Sequence, residues 1–401
     1  MTGYRSSAGW LTTVMILMIF SLIPVVSVTR AQQTAYLSGP LLAAVPAQQD
    51  RIILHDIRFD TSRELSFGSG WHNIWDFSPD GCRILFTLTD SSGLARAYSA
   101  ALDGSDMRDL IDYDEIPASD WGIWEPQWSP DGSKIAFTMS RDNFEGVIRR
   151  QYHIGSVPSE GGEPQFYSRT GREHTPYWSP DGQWLLYVSY EERPAGADIY
   201  STAVPTPEGS TEQTFFTQLN EADLWIVSAD GETKYALTNF PTGSVSFPRW
   251  SPDGELIGFV YSPSPNNDTQ WIISRQQGSL ATQLTYNWNL ALDLTWSPDS
   301  AHLMAVLRDF RSVSENRLWQ LPLVGNADNS AEQYGHLRSR TFIDYARFSP
   351  EGDYLAFRSR YRLEVIDTVT GETVLSADHT PGNTPPVWTR SGFSGEQNCH
   401  S

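Results

Sequence analysis

Cations are in short supply: 28 Lys and Arg stand against 48 Asp and Glu, a formal net charge of −20 at pH 7 over 401 residues. No run of basic residues occurs, which excludes a nucleic-acid partner, because affinity for phosphate rests on clustered cations. The same charge favours solubility and a preference for cationic partners. Cysteine is almost missing, and Cys82 and Cys399 do not form a metal-ligand spacing. Two readings stay open for them: a buried thiol with a free terminal one, or a disulfide tying the C-terminal tail to the first repeat. The histidines, from His55 and His72 through His153 and His174 to His400, include no pair at helical or zinc-finger spacing. The Gly-x-Ser-x-Gly elbow of serine hydrolases is missing, as is the spaced Asp-x-Asp pattern of a calcium loop. No metal or cofactor is expected, and a binding scaffold is favoured over an enzyme.

Hydrophobic residues are not scarce. At 39% they can bury a large core. Trp10 to Val28 is a nearly unbroken apolar run without charge, preceded by Arg5. Residues 1–31 read as a cleavable signal peptide, with small residues near Thr29 and Ala31, or as an uncleaved membrane anchor, since the run has about the length that spans a bilayer. Either places the remainder outside the cytoplasm: periplasmic, secreted or membrane-anchored. Residues 32–50 are expected to form a flexible tether, 51–393 the folded domain and 394–401 a C-terminal tail.

The folded domain is repetitive. FSPDGCRILF starts at Phe77, WSPDGSKIAF at Trp128, WSPDGQWLLY at Trp178, WSPDGELIGF at Trp250, WSPDSAHLMA at Trp296 and FSPEGDYLAF at Phe348. The spacings of 51, 50, 72, 46 and 52 residues are blade lengths, and a degenerate copy, WTRSGF, follows at Trp388. Pro pre-sets the turn, Asp can bond its own backbone, and Gly supplies positive φ where a second strand begins. A second strand pair follows each hairpin, clearest in Leu224–Val227, Asp230-Gly231 and Tyr235–Thr238. The fold class expected is all-β, a β-propeller of four-stranded antiparallel blades.

The P-x-W-S-P-D-G-x-x-I-A-F hairpin followed by L-W-I-V-x-A-D-G resembles the TolB-type repeat of exported, WD-repeat-like propellers, over about residues 52–393. The resemblance implies a periplasmic component of an envelope complex that binds protein partners. The chain departs from that pattern in lacking an obvious α/β domain before the propeller.

Ring closure is expected from both chain ends. Ile52–Ile57 and Glu64–Phe67 read as the third and fourth strands of a blade whose inner strand comes from Trp388, giving seven blades, with six as the alternative. In the segments that lead into the inner strands, Trp71, Trp75, Trp121, Trp124, His174, Phe247 and Trp288 recur at similar offsets, beside Asp76, Glu125, Asp293 and Asp344. These rings and carboxylates are expected to converge on a funnel that takes a protein or peptide side chain, or a glycan stacked on Trp with paired carboxylates as acid and base. The opposing reading is that the rings cap the core between blades. The insertion Glu191–Ala222 carries Phe215 and Phe216, candidates for a partner-binding tip.

Overall fold

The computed structural model describes residues 36–112, 121–143, 149–167, 171–190, 222–264, 267–286, 290–308, 315–378 and 384–399. Trp288, Phe215 and Phe216 lie outside the described residues, as do residues 1–35 with the apolar run. Among the described residues no helix is long and apolar enough to cross a membrane.

Each Ser-Pro-Asp-Gly copy is the turn between a first and a second strand, and its serine organises it. The hydroxyls of Ser78, Ser129, Ser179, Ser251 and Ser297 donate to the turn carboxylate two residues on, at 2.5–2.6 Å. In all six copies the same hydroxyl accepts the N–H five residues on, at 2.9–3.0 Å. The turn therefore closes its own polar groups before any neighbour packs on it. These bonds hold Asp131 and Asp299 below the usual carboxylate range. The fifth copy places Ser300 where the others have Gly, at φ 60°, and its hydroxyl accepts the N–H of Asp253 from the preceding turn at 3.1 Å.

Five four-stranded antiparallel sheets stand alone. Four of them run outward from Trp71–Phe77, Gly122–Trp128, Leu290–Trp296 and Ile343–Phe348. The third and fourth hairpin copies share one eight-stranded sheet, in which Ala222–Ser228 meets Ser244–Trp250 through a single parallel pair, Ala222 with Ser244. Neither seven nor six separate blades is what the pairing gives, because that one bridge joins two units that are otherwise antiparallel throughout.

The fifth lone sheet joins the chain ends. Val387–Trp388 is innermost, followed by Leu41–Ala44, Ile52–Asp56 and Thr61–Leu65. Residues 37–45 are therefore not a tether. Leu37 and Leu41–Val45 are buried, and Leu41 N–H donates to Thr389 Oγ1 at 3.1 Å. Their sequence is apolar because it supplies the strand that the degenerate seventh hairpin lacks. Nor is the C-terminal segment loose: buried Glu396 accepts from Leu37 N–H and Arg63 Nη2, both at 3.0 Å, and Cys399 is disulfide-bonded to Cys82 with Cα atoms 5.4 Å apart.

Between sheets, the leading aromatic of each hairpin fills the wedge. Phe77, Trp128, Trp178, Trp296 and Trp388 are buried. The indole N–H of Trp250 donates to Tyr177 O, that of Trp296 to Arg249 O and that of Trp388 to Arg347 O, at 3.0–3.2 Å. The ring thus fills apolar space while its one polar atom ties the sheet to the preceding inner strand.

Candidate functional site

Every inner strand from Trp71–Phe77 to Ile343–Phe348 breaks register with its neighbour shortly before the hairpin aromatic. A bulge re-aims the extra residue. The residues so displaced, Trp75, Glu125, Thr175, Phe247, Leu292 and Asp344, all line one cavity of about 990 Å³. Three of them hold positive φ: Glu125 at 52°, Thr175 at 59° and Phe247 at 51°, each followed by a proline. Non-glycine residues in that region, ahead of a proline that favours extended backbone, cost on the order of 1–3 kcal/mol each. The strand spends stability to turn these side chains inward.

Three arginines face the same space, and two are neutralised. Arg347 is ion-paired with Asp293, with Nη2 to Oδ1 at 3.0 Å, and Arg358 Nε meets Asp344 Oδ2 at 2.9 Å. Arg249 has no ion pair among the described residues. Its guanidinium lies over the Tyr177 ring, 4.6 Å from the centroid, and Nη1 donates to its neighbour Pro248 O at 3.0 Å. Burial pushes the Glu125 carboxyl up, opposed by the Thr175 and Thr138 hydroxyls and by the charge of Arg249. Burial likewise raises the Tyr177 phenol, and that of Tyr190 to about 12, so both remain neutral hydrogen-bonding groups.

His174 lies in this wall and in a side pocket of about 250 Å³ that also reaches Trp124 and Tyr152. Its Nδ1 is 2.6 Å from Thr175 Oγ1, and its ring sits between Tyr152 and Tyr190, with centroids at 5.5 and 4.9 Å. Among the described residues its Nε2 is buried without a hydrogen-bond partner, as is Thr384 Oγ1 on the same cavity. Burial lowers the imidazole to about 4, so it is neutral at physiological pH. One ring nitrogen and one hydroxyl are thus left for a guest to satisfy.

Of the residues singled out in the sequence, Trp75, Glu125, His174, Phe247, Asp293 and Asp344 meet at the cavity. The others do not. Trp71 is 62% exposed and Trp121, 6% exposed, belongs to the apolar core with Ile123 and Trp128. Trp124 reaches only the side pocket. Asp76 is a structural carboxylate, accepting from Phe77 and Trp128 N–H and paired with Arg390. Sequence reasoning missed the three arginines, Thr175 and Tyr177; the shared Pro at positions 126, 176 and 248 was the signal for the inward-turned residue before it.

No family model matches the chain. It is 33% identical over 258 residues to a Bacillus subtilis protein described as an uncharacterized peptidase, YuxL, a match covering 63% of this chain and 31% of that one. The chain spans less than half the length of the curated relatives it matches. Among solved structures it is similar to TolB from Acinetobacter baumannii, with 16% identity, 87% of this chain and 82% of that one covered, and a TM-score of 0.48. It is also similar to an oligogalacturonate lyase in complex with manganese, at 15% identity, 86% and 93% coverage and a TM-score of 0.54. At 15% identity the likeness to the lyase is one of fold.

Proposed function

Starting from a TolB-type propeller fold, we propose that the chain is an extracytoplasmic binding module that takes a peptide segment of a partner protein into the central cavity. The eight-stranded sheet counts in this reading as two blades fused at Ala222 and Ser244, which makes a ring of seven. Location outside the cytoplasm draws support from the Cys82–Cys399 disulfide and the apolar run before residue 29.

The observation that carries the reading is the inward turning of six bulge residues onto one cavity of about 990 Å³, with aromatic and guanidinium groups in one wall. That size is at the upper end for ligand sites, which run roughly 300–1,000 Å³. The wall suits binding better than acid–base chemistry, because Asp293 and Asp344 are each held by an arginine and do not face one another as a free pair. A sugar-stacking platform has less support, since Trp71 and Trp121 point elsewhere.

The test is retention of ligands on the immobilised chain. A random hexapeptide library should be retained, and Phe247→Ala with Trp75→Ala should lose at least tenfold of that retention while the fold, read by circular dichroism, is kept. Retention of neutral and uronic oligosaccharides with no retention of peptides would overturn the proposal.

A further inference from the structure

We infer that the cavity recognises the free C-terminal carboxylate of its peptide, with Arg249 as the counter-ion; this rests on the peptide-binding reading above. The wall holds Arg249, Arg347 and Arg358, and two of these have carboxylate partners on the protein. Arg249 has none among the described residues. An arginine in a protein wall is ordinarily paired, since a guanidinium drawn partly out of bulk water loses hydration that a counter-ion makes up. The carboxyl whose charge Arg249 feels is Glu125, which burial disposes toward the neutral form.

The Arg249 side chain is also held in place. The guanidinium lies over the Tyr177 ring and also hydrogen-bonds that side chain, and Nη1 donates to Pro248 O, which still leaves several of its five donors. Pro248 itself belongs to the bulge that turns Phe247 inward. A planar fork with its remaining N–H groups free matches a carboxylate through two parallel hydrogen bonds. The site is therefore positive at one place within a chain of net charge −20, and over a Debye length of about 8 Å the local arginine outweighs distant surface carboxylates.

A second group selects a C-terminus over an isolated anion. His174 lies three residues before the Tyr177 that carries Arg249, on the neighbouring inner strand, and its Nε2 has no partner among the described residues. In the tautomer whose Nδ1–H donates to Thr175 Oγ1, which leaves that hydroxyl to donate to Glu125, Nε2 is an acceptor. An acceptor that shares a cavity with a carboxylate clamp calls for a ligand carrying both an N–H and a carboxylate. The last peptide unit of a chain offers that pairing in a fixed geometry, whereas inorganic anions do not.

The experiment compares two hexapeptide libraries without Asp or Glu, one with free C-termini and one C-terminally amidated, together with hexagalacturonate, on the immobilised chain. The free-acid library should be retained at least tenfold more than the amide. Arg249→Met should abolish that difference, and Arg249→Lys should restore part of it. Equal retention of both libraries by the native chain, lost in Phe247→Ala, would refute carboxylate recognition and leave peptide binding standing. Retention of neither library would refute both, and retention of hexagalacturonate alone would show a glycan site. Were Arg249→Met to unfold, the comparison of acid with amide on the native chain would still decide.

Discussion

Arg390 Nη2 meets Asp76 Oδ2 at 2.6 Å, joining the last strand-forming segment to the first inner strand across 314 residues. The same guanidinium donates to Trp128 O at 2.9 Å, and Trp128 N–H donates back to Asp76 Oδ2 at 3.0 Å. One arginine therefore clasps two neighbouring inner strands to the closing sheet. It does so in the degenerate hairpin, WTRSGF, at the position where the full copies have Pro, with Ser391 at the position of their Asp or Glu. The degeneracy has a purpose: the seventh turn trades its proline for a cation that binds the first repeat.

Arg390→Ala leaves Asp76, which is mostly buried, with backbone donors alone. It should lower unfolding stability by about 2–3 kcal/mol. Asp76→Asn combined with Arg390→Ala should cost less than the sum of the two single changes, by about 1 kcal/mol or more. Urea unfolding of the four proteins in the cycle measures this, and strict additivity would remove the clasp.

The disulfide works at the same closure. Cys82 and Cys399 are 317 residues apart in sequence, so their link removes freedom from a long loop of the unfolded chain, an effect on the order of 4 kcal/mol. The neighbouring contacts, Arg63 with Glu396 and Glu396 with Leu37, hold the terminal segment in place without it. Cys82→Ser with Cys399→Ser should therefore fold to the same circular dichroism spectrum and unfold at lower denaturant. Reductant should lower the midpoint of the native chain and leave the double variant unchanged.

What could be read in the sequence was local. Ser-Pro-Asp-Gly closes its hydrogen bonds within six residues, so its recurrence declared the hairpins and with them the propeller. Leu41–Ala44 pairs with Trp388 and was illegible, because LLAA carries no turn signal and its partner lies at the other end of the chain. The bulges were half visible: Pro after Glu125, Thr175 and Phe247 marks them, but nothing marks Leu292. The carboxylates were found and their partners were not. Asp293 meets Arg347 one repeat later, a pairing set by the ring and not by spacing along either strand.

Two tryptophans that look alike in sequence should behave oppositely. Trp121 is buried beside Ile123 and Trp128, with the Arg141 guanidinium over its ring at 4.8 Å and the His153 ring tilted against it at 5.1 Å, so Trp121→Ala should cost about 3–5 kcal/mol. Trp71 is 62% exposed, and Trp71→Ala should move stability by less than about 0.5 kcal/mol. Thermal melts of the two variants separate them directly. A large loss from Trp71→Ala would place it in packing that the fold does not provide.

Acid should weaken the fold through buried imidazoles before it reaches the turn carboxylates. Burial lowers His55 and His174 from 6.5 to about 4, and shifts His72 in the same direction. A histidine depressed in the folded state binds its proton more readily when unfolded. Its contribution is therefore whole above pH 6.5 and is lost as pH falls toward 4, up to about 3 kcal/mol for each of the two large shifts. Glu125, raised by burial, works against this in the lower part of that window, because the folded state takes up its proton first. Asp131 and Asp299 are depressed below 3.8 and release their share only under stronger acid. Urea midpoints should fall steadily from pH 6.5 to pH 4.5, and His55→Leu should flatten that slope by roughly half. A native chain whose midpoint is constant across the window would show that these imidazoles are solvated.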